Sequence, residues 1–278
     1  MRWVPKEALP FRRFLKFVLP YGLIDLARNR RTLHAIGRRL RPAEWFNSAW
    51  LIHEAEQCGL TLFPSGYVEH LKWIVDVGAN QGQWSTMLLD CIQPEKLIMI
   101  EPEPTAFADL QKHFGADPRV ELHNVAVGAE PGRAKLHITR DTTGASLLKP
   151  ADEMRTLIGS NWTVTSEKDV SVTTLDLLLR DLAEISLLKI DVQGSEMSVL
   201  AGARESLAKT NFLLVELNYM PQYENGSWFG DLHEILTGEH GFFLANASKP
   251  LLLNGRASMC DGLYVNPHRV KWVRPDFV

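Results

Sequence analysis

Five carboxylates, Asp76, Glu101, Asp191, Glu196 and Glu216, stand at or just beyond the ends of short apolar runs. A carboxylate so placed can accept hydroxyl hydrogen bonds, hold a cation or take up a proton. Asp76 opens the turn Asp76-Val-Gly-Ala-Asn-Gln-Gly82. There, Gly78 and Gly82 let backbone approach a ligand, and Gly78 can take torsions that other residues avoid. A pyrophosphate cradle needs glycine at the positions of Gly78, Asn80 and Gln83, and only the first fits, so a diphosphate is disfavoured. Glu101-Pro102 follows 23 residues beyond Gly78, a separation at which a carboxylate can accept both hydroxyls of a ribose. Asn124 could bond the edge of an adenine ring while Val125 or Ala126 packs on its face; an ordinary strand end reads almost as well.

The run Lys189-Ile-Asp-Val-Gln-Gly-Ser-Glu196 is dense in polar groups. Asp191, at a strand's carboxyl end, is expected to face a ligand crevice and is the first candidate for a general base. Glu216 and Asn218 come to the same rim, and Glu216 and His233 are reserve bases. His233, close to Leu232 and Ile235, reads first as a packed or surface histidine. Glu196 falls in the first turn of a helix, where the dipole favours a carboxylate whether or not it has a chemical role. Gln193 can bind a hydroxyl but cannot take its proton. Ser146 lies in Asp141-Thr-Thr-Gly-Ala-Ser146, a stretch that either covers the acceptor or is a surface insertion. Tyr219, Tyr223, Trp228 and Phe229 could stack on a sugar ring or be core. The nine histidines form no ligand spacing with carboxylates, so no metal is expected.

Alternating strands and helices must position these groups. Trp73–Val77, Lys96–Ile100, Ser186–Ile190 and Phe212–Leu217 read as strands, the first two as continuous apolar runs buried on both faces. Val120–Asn124 reads as a third strand and Ala134–Thr139 as an extra one. Helices are predicted over Trp84–Ile92, Thr105–Phe114, Glu196–Leu207 and Phe229–Leu236. Arg140 to Asp169 reads as loop. Gly241–Ala245 and Gly262–Val265 read as a closing antiparallel pair. The fold class is therefore α/β, a mainly parallel sheet with helices on both faces. Its ligands belong at the carboxyl ends of the strands, where strand order reverses.

The 278 residues carry 30 Lys plus Arg against 33 Asp plus Glu, and 45% are apolar. That length suffices for one large core with an appendage, and the composition excludes global disorder, collagen and coiled coil. No run of about 18 apolar residues occurs and charges fall where a signal peptide needs its apolar core, so neither a spanning helix nor secretion by that route is expected. Three scattered cysteines form neither a metal pair nor a disulfide framework, so a cytoplasmic location is expected. Residues 1–41 are net +9 and the remaining 237 net −12. Residues 1–70 thus form a basic helical N-terminal extension ahead of a domain over 71–278. The extension either packs its helices with arginines facing water or makes peripheral contact with an anionic surface such as the inner membrane face. Nucleic acid is not an expected partner, since no recognition motif accompanies the charge.

Asp76-Val-Gly-Ala-Asn-Gln-Gly82, Ile100-Glu-Pro102, Asn124-Val-Ala-Val-Gly128, Gly144-Ala-Ser-Leu147, Thr173-Thr-Leu-Asp176 and Lys189-Ile-Asp-Val-Gln-Gly194, in this order, resemble the FkbM family of class I methyltransferases. The similarity covers roughly residues 71 to 265. It implies a Rossmann-like class I methyltransferase fold with a seven-stranded sheet, and S-adenosylmethionine as cofactor. It also implies methyl transfer to a hydroxyl of a sugar, glycolipid, polysaccharide or related natural product. By position, Asp76, Gly78, Asn80, Gly82, Glu101, Pro102, Asn124 and Val125 would serve the cofactor. Asp191 would lie at its methyl end; Glu196, Glu216, Gln193, Ser146 and His233 are candidates toward the acceptor from their own places in the sequence, not from the resemblance. The family usually has an acid where this chain has Gln193. Two other classes stay open: a nicotinamide-dependent oxidoreductase and a non-catalytic docking module.

Overall fold

The computed structural model describes residues 58–63, 67–158 and 160–271. The basic segment read over residues 1–41 lies outside the described residues. Among those described, no helix is long and apolar enough to cross a membrane.

The main sheet is built on β1 (Trp73–Val77), β2 (Lys96–Ile100), β3 (Val120–His123), β7 (Ile185–Ile190) and β8 (Thr210–Asn218). These five run parallel in the order β3-β2-β1-β7-β8. β11 (Arg256–Val265) continues the sheet antiparallel to β8, and β9 (Phe243–Ala247) pairs with the far half of β11. These are the seven strands of a Rossmann-like fold. A short eighth, β10 (Leu251–Leu253), pairs with the near half of β11. Strand order reverses between β1 and β7, so the crevice opens at their carboxyl ends.

Both faces of β1, β2 and β7 are buried, which explains their largely apolar sequences. Ile74, Leu97, Leu187 and Leu214 face Leu60, Phe63, Leu88 and Leu110 on one side. Val75, Ile98, Leu188 and Val215 face Leu175, Val199, Leu207 and Leu232 on the other. Truncating Leu188, which is fully buried, is expected to cost about 2–5 kcal/mol.

Three local expectations are corrected. Val164 to Asp169, read as loop, belongs to β6 (Val164–Thr173), which pairs antiparallel with β5 (Gly132–Thr139) and parallel with β4 (Ala126–Val127). Four of the six residues over Val164 to Asp169 are exposed, so no apolar alternation marked that half of β6. The helix expected over Glu196–Leu207 is two, Glu196–Ala201 and Arg204–Ala208. Between them, Gly202 passes so close to β4 that a Cβ would sit 2.2 Å from the Gly128 carbonyl oxygen. The helix beginning at Phe229 is α-helical only to Glu234 and then widens into a π-turn over Ile235–Glu239.

Candidate active site

The turn after β1 touches the exit of β7. Gly78 has φ +80°, and a Cβ there would lie 1.8 Å from the Asp191 carbonyl oxygen, so only glycine fits. The Asp191 N–H donates to the Val77 carbonyl at 3.1 Å, tying the two exits together. Gly82, with φ +86°, starts the helix Gln83–Cys91; a Cβ there would strike Phe114 at 2.4 Å.

Glu101 caps β2 at the same rim. Its Oε2 accepts from the Asn80 N–H and its Oε1 from the Glu103 N–H, both at 2.8 Å. Burial pushes its pKa up to about 7, with the two N–H groups working against that rise. The Asn124 amide donates to the Glu101 and Pro102 carbonyls at 2.8 and 3.2 Å, bracing this strand end from behind. Glu103 accepts from Lys168 of β6 at 2.7 Å, which fastens the small sheet over this end.

A second group of acids gathers beyond the Gly78 turn. Asp76 is fully buried, accepting from Ser85 Oγ at 2.7 Å and from Lys189 Nζ at 3.0 Å. Lys189 Nζ also stands 3.5 Å from Asp191 Oδ2. Gln193 donates from Nε2 to Asp191 Oδ1 at 2.8 Å and accepts from the Tyr223 hydroxyl at 2.8 Å. The Ser146 hydroxyl donates to the Gln193 carbonyl at 2.6 Å. Gln193 and Gly194 hold this turn at φ +57° and +94°. Glu216 accepts from the Asn218 amide at 3.0 Å, and Asp261 lies opposite it in the β8–β11 register. Burial, then Asp191 and Glu196, push Glu216 well above the ordinary carboxylate range. Burial and Asp191 likewise push Asp261 up to about 6.

One cavity of about 490 Å³ connects the two groups. Gly78, Asn80, Glu101, Pro102 and Val125 line it at the β2 side; Asp191, Gln193, Glu216 and Ser146 line it at the β7–β8 side. Asp76, Gly82 and Asn124 stand behind this wall as supports. Glu196 is also behind it, fully buried, accepting from the Gly194 N–H at 3.0 Å and pushed up to about 7 by burial. His233 is elsewhere. Its Nδ1 shares a 2.9 Å hydrogen bond with the Tyr264 hydroxyl, and its ring packs on Phe229.

The wall also holds Lys189, Asp261 and Trp162, which reading the sequence missed. Lys189 carried a signal, since a charge inside Leu187-Leu188-Lys189-Ile190 demands a buried partner. Asp261 is brought in only by antiparallel pairing, and Trp162 only by the folding of a stretch read as loop. Among the described residues, no group of three or more His, Cys, Asp or Glu is arranged to hold a metal ion.

The donor set fits a nucleoside with a charged tail: a carboxylate for ribose hydroxyls, a glycine turn for close approach, apolar Val125 for the base. A diphosphate fits poorly, because the wall presents Glu101, Asp191, Glu216 and Asp261 against a single lysine among the described residues.

Residues 76–244 match the model of the methyltransferase FkbM domain. The chain is 31% identical to 2-O-methyltransferase NoeI of Sinorhizobium fredii over 163 residues, 54% of this chain and 65% of that protein. It is 28% identical to Methyltransferase 1 of Beauveria bassiana over 150 residues, 47% of this chain and 58% of that one. The matches thus span about three-fifths of the length of these curated relatives. A solved FkbM methyltransferase from Methylobacillus flagellatus superposes with a TM-score of 0.45 at 18% identity, over 95% of this chain and 72% of that one.

Proposed function

This chain belongs to the FkbM methyltransferase family, and we propose that it transfers the methyl group of S-adenosylmethionine to a hydroxyl of a sugar, glycolipid, polysaccharide or related natural product. The observation that carries this reading is the single cavity joining a ribose-binding carboxylate, Glu101, to a rim of acids around Asp191. The similarity to 2-O-methyltransferase NoeI of Sinorhizobium fredii supports oxygen as the acceptor atom.

Bound S-adenosylmethionine supplies a methyl group made electrophilic by its sulfonium. Glu101 accepts the ribose hydroxyls, Val125 packs on the base, and the Gly78 turn lets the tail pass close to the backbone. Holding the acceptor oxygen in line with that methyl can lower the barrier by up to about 7–11 kcal/mol.

Asp191 takes the hydroxyl proton. Gln193 and Lys189 flank its two oxygens, so its carboxylate is fixed in orientation before an acceptor arrives. A base so placed contributes about 10²–10⁴ in rate. Glu216 suits the role less well. Burial and the neighbouring Asp191 and Glu196 raise its pKa, and its Oε1 already accepts from the Asn218 amide at 3.0 Å. Ser146, Leu147 and Trp162, from the segment joining β5 to β6, close the cavity over the acceptor.

The test is transfer from methyl-labelled S-adenosylmethionine into an extract of the organism that encodes this chain. Label in the carbohydrate or glycolipid fraction that resists mild base, as a methyl ether does, is the expected result. Label confined to base-labile esters, protein or nucleic acid contradicts it.

A further inference from the structure

We propose that the Lys189 ammonium holds the carboxylate of the cofactor's amino-acid arm, a role that rests on the S-adenosylmethionine reading above. The cavity wall is acidic, with Glu101, Asp191, Glu216 and Asp261 on it, and Lys189 is its one basic residue among the described residues. A ligand carboxylate entering this cavity therefore has one cation to meet. The α-ammonium of the same arm finds acids at the same end.

The lysine sits in an otherwise apolar strand, with Leu187, Leu188 and Ile190 all buried and its own side chain 9% exposed. Asp76 compensates its charge from beneath at 3.0 Å and Asp191 from beside it at 3.5 Å. Burial alone would lower its pKa, but the two carboxylates more than offset burial and hold it above the ordinary lysine range. An ammonium carries three N–H donors. Asp76 takes one of them, Asp191 stands at ion-pair distance, and the residue lines the cavity. Trp84, Met87 and Leu214 line the cavity too, as apolar wall for a methylene chain. The Trp84 ring lies 5.4 Å from Lys189 Nζ, so aromatic face and cation share one end of the pocket.

The test compares S-adenosylhomocysteine with its decarboxylated analogue, which keeps the adenosine, the thioether and the amine. Calorimetric titrations are run on the wild-type protein and on Lys189→Met. The wild type is expected to prefer S-adenosylhomocysteine by at least about tenfold, the worth of a charged hydrogen bond. Lys189→Met is expected to bring the two ligands within about threefold by weakening S-adenosylhomocysteine alone. Lys189→Arg should keep much of the preference.

Because Lys189→Met leaves Asp76 buried without its cation, Asp76→Asn/Lys189→Met is measured beside it. A preference that survives in both variants, or an equal weakening of both ligands, overturns the role of Lys189 while leaving the cofactor reading intact. Binding of neither ligand to the wild type overturns the cofactor reading and this inference with it.

Discussion

Cofactor affinity should depend on pH through Glu101. Its carboxyl is buried and its pKa is pushed up to about 7, whereas ribose hydroxyls donate to the ionised form. At pH 8 about nine-tenths of the carboxyls are ionised, and at pH 6 about one-tenth, so affinity should fall about tenfold across that interval. The nucleoside's own amine and carboxyl titrate outside this range and leave the slope to the protein. The sign is fixed by the direction of the shift. Between the ordinary carboxylate value and about 7, the folded protein holds a proton that the unfolded chain has lost. Glu101 therefore makes the free protein less stable as pH rises through that window, and saturating nucleoside flattens the trend by holding the anion. Isothermal titration with S-adenosylhomocysteine from pH 5.5 to 8.5, in buffers of differing ionisation enthalpy, reads both affinity and proton release. About half a proton should leave per site at pH 7. Glu101→Gln should bind weakly with a flattened profile, which separates Glu101 from Asp261 and Glu196, whose pKa values are also raised. An affinity independent of pH in the wild type, or an unchanged slope in Glu101→Gln, refutes the reasoning.

Asp191→Asn should lower kcat by about 10²–10⁴ at saturating cofactor, while S-adenosylhomocysteine binding stays within about threefold, a loss below 1 kcal/mol. Glu216→Gln, which keeps an oxygen to accept from the Asn218 amide, should cost less than about tenfold in initial rate if Asp191 is the base. Gly78→Ala puts a Cβ 1.8 Å from the Asp191 carbonyl oxygen at φ +80°. Thermal denaturation should show it destabilised by about 1–3 kcal/mol or more, and titration should show cofactor binding lost. Trp162→Ala should leave S-adenosylhomocysteine affinity unchanged and raise the acceptor KM in the labelled-transfer assay; an equal loss of cofactor affinity would place Trp162 at the other end of the cavity.

The central parallel strands β1, β2 and β7 were legible because they are buried on both faces, which leaves a largely apolar run such as Lys96-Leu-Ile-Met-Ile100. Strand-end carboxylates followed from that, since topology sends Glu101 and Asp191 to the same rim. β6 was not legible, because one face is exposed, the other carries Ser166 and Lys168 between its valines, and its identity as a strand comes from pairing with β5. The break at Gly202 was equally hidden: one glycine is tolerated in a helix, and what ends this one is the approach of the Gly128 carbonyl. Within the site, residue type and strand position did not separate wall from scaffold. Asp76 looks like a ligand residue in the sequence, yet it is enclosed by Ser85 and Lys189. Asp261 and Trp162 reach the cavity only through long-range folding.

The most direct measurement is a thermal-shift titration of the intact chain with S-adenosylhomocysteine and, in parallel, with NADH. At about 100 times its dissociation constant, S-adenosylhomocysteine should stabilise the protein by about 2.7 kcal/mol, a rise of a few degrees for a domain of this size. NADH, whose diphosphate would meet four acids and one lysine, should give none. Stabilisation by NADH in place of S-adenosylhomocysteine, or by neither, would contradict the assignment of this cavity to S-adenosylmethionine.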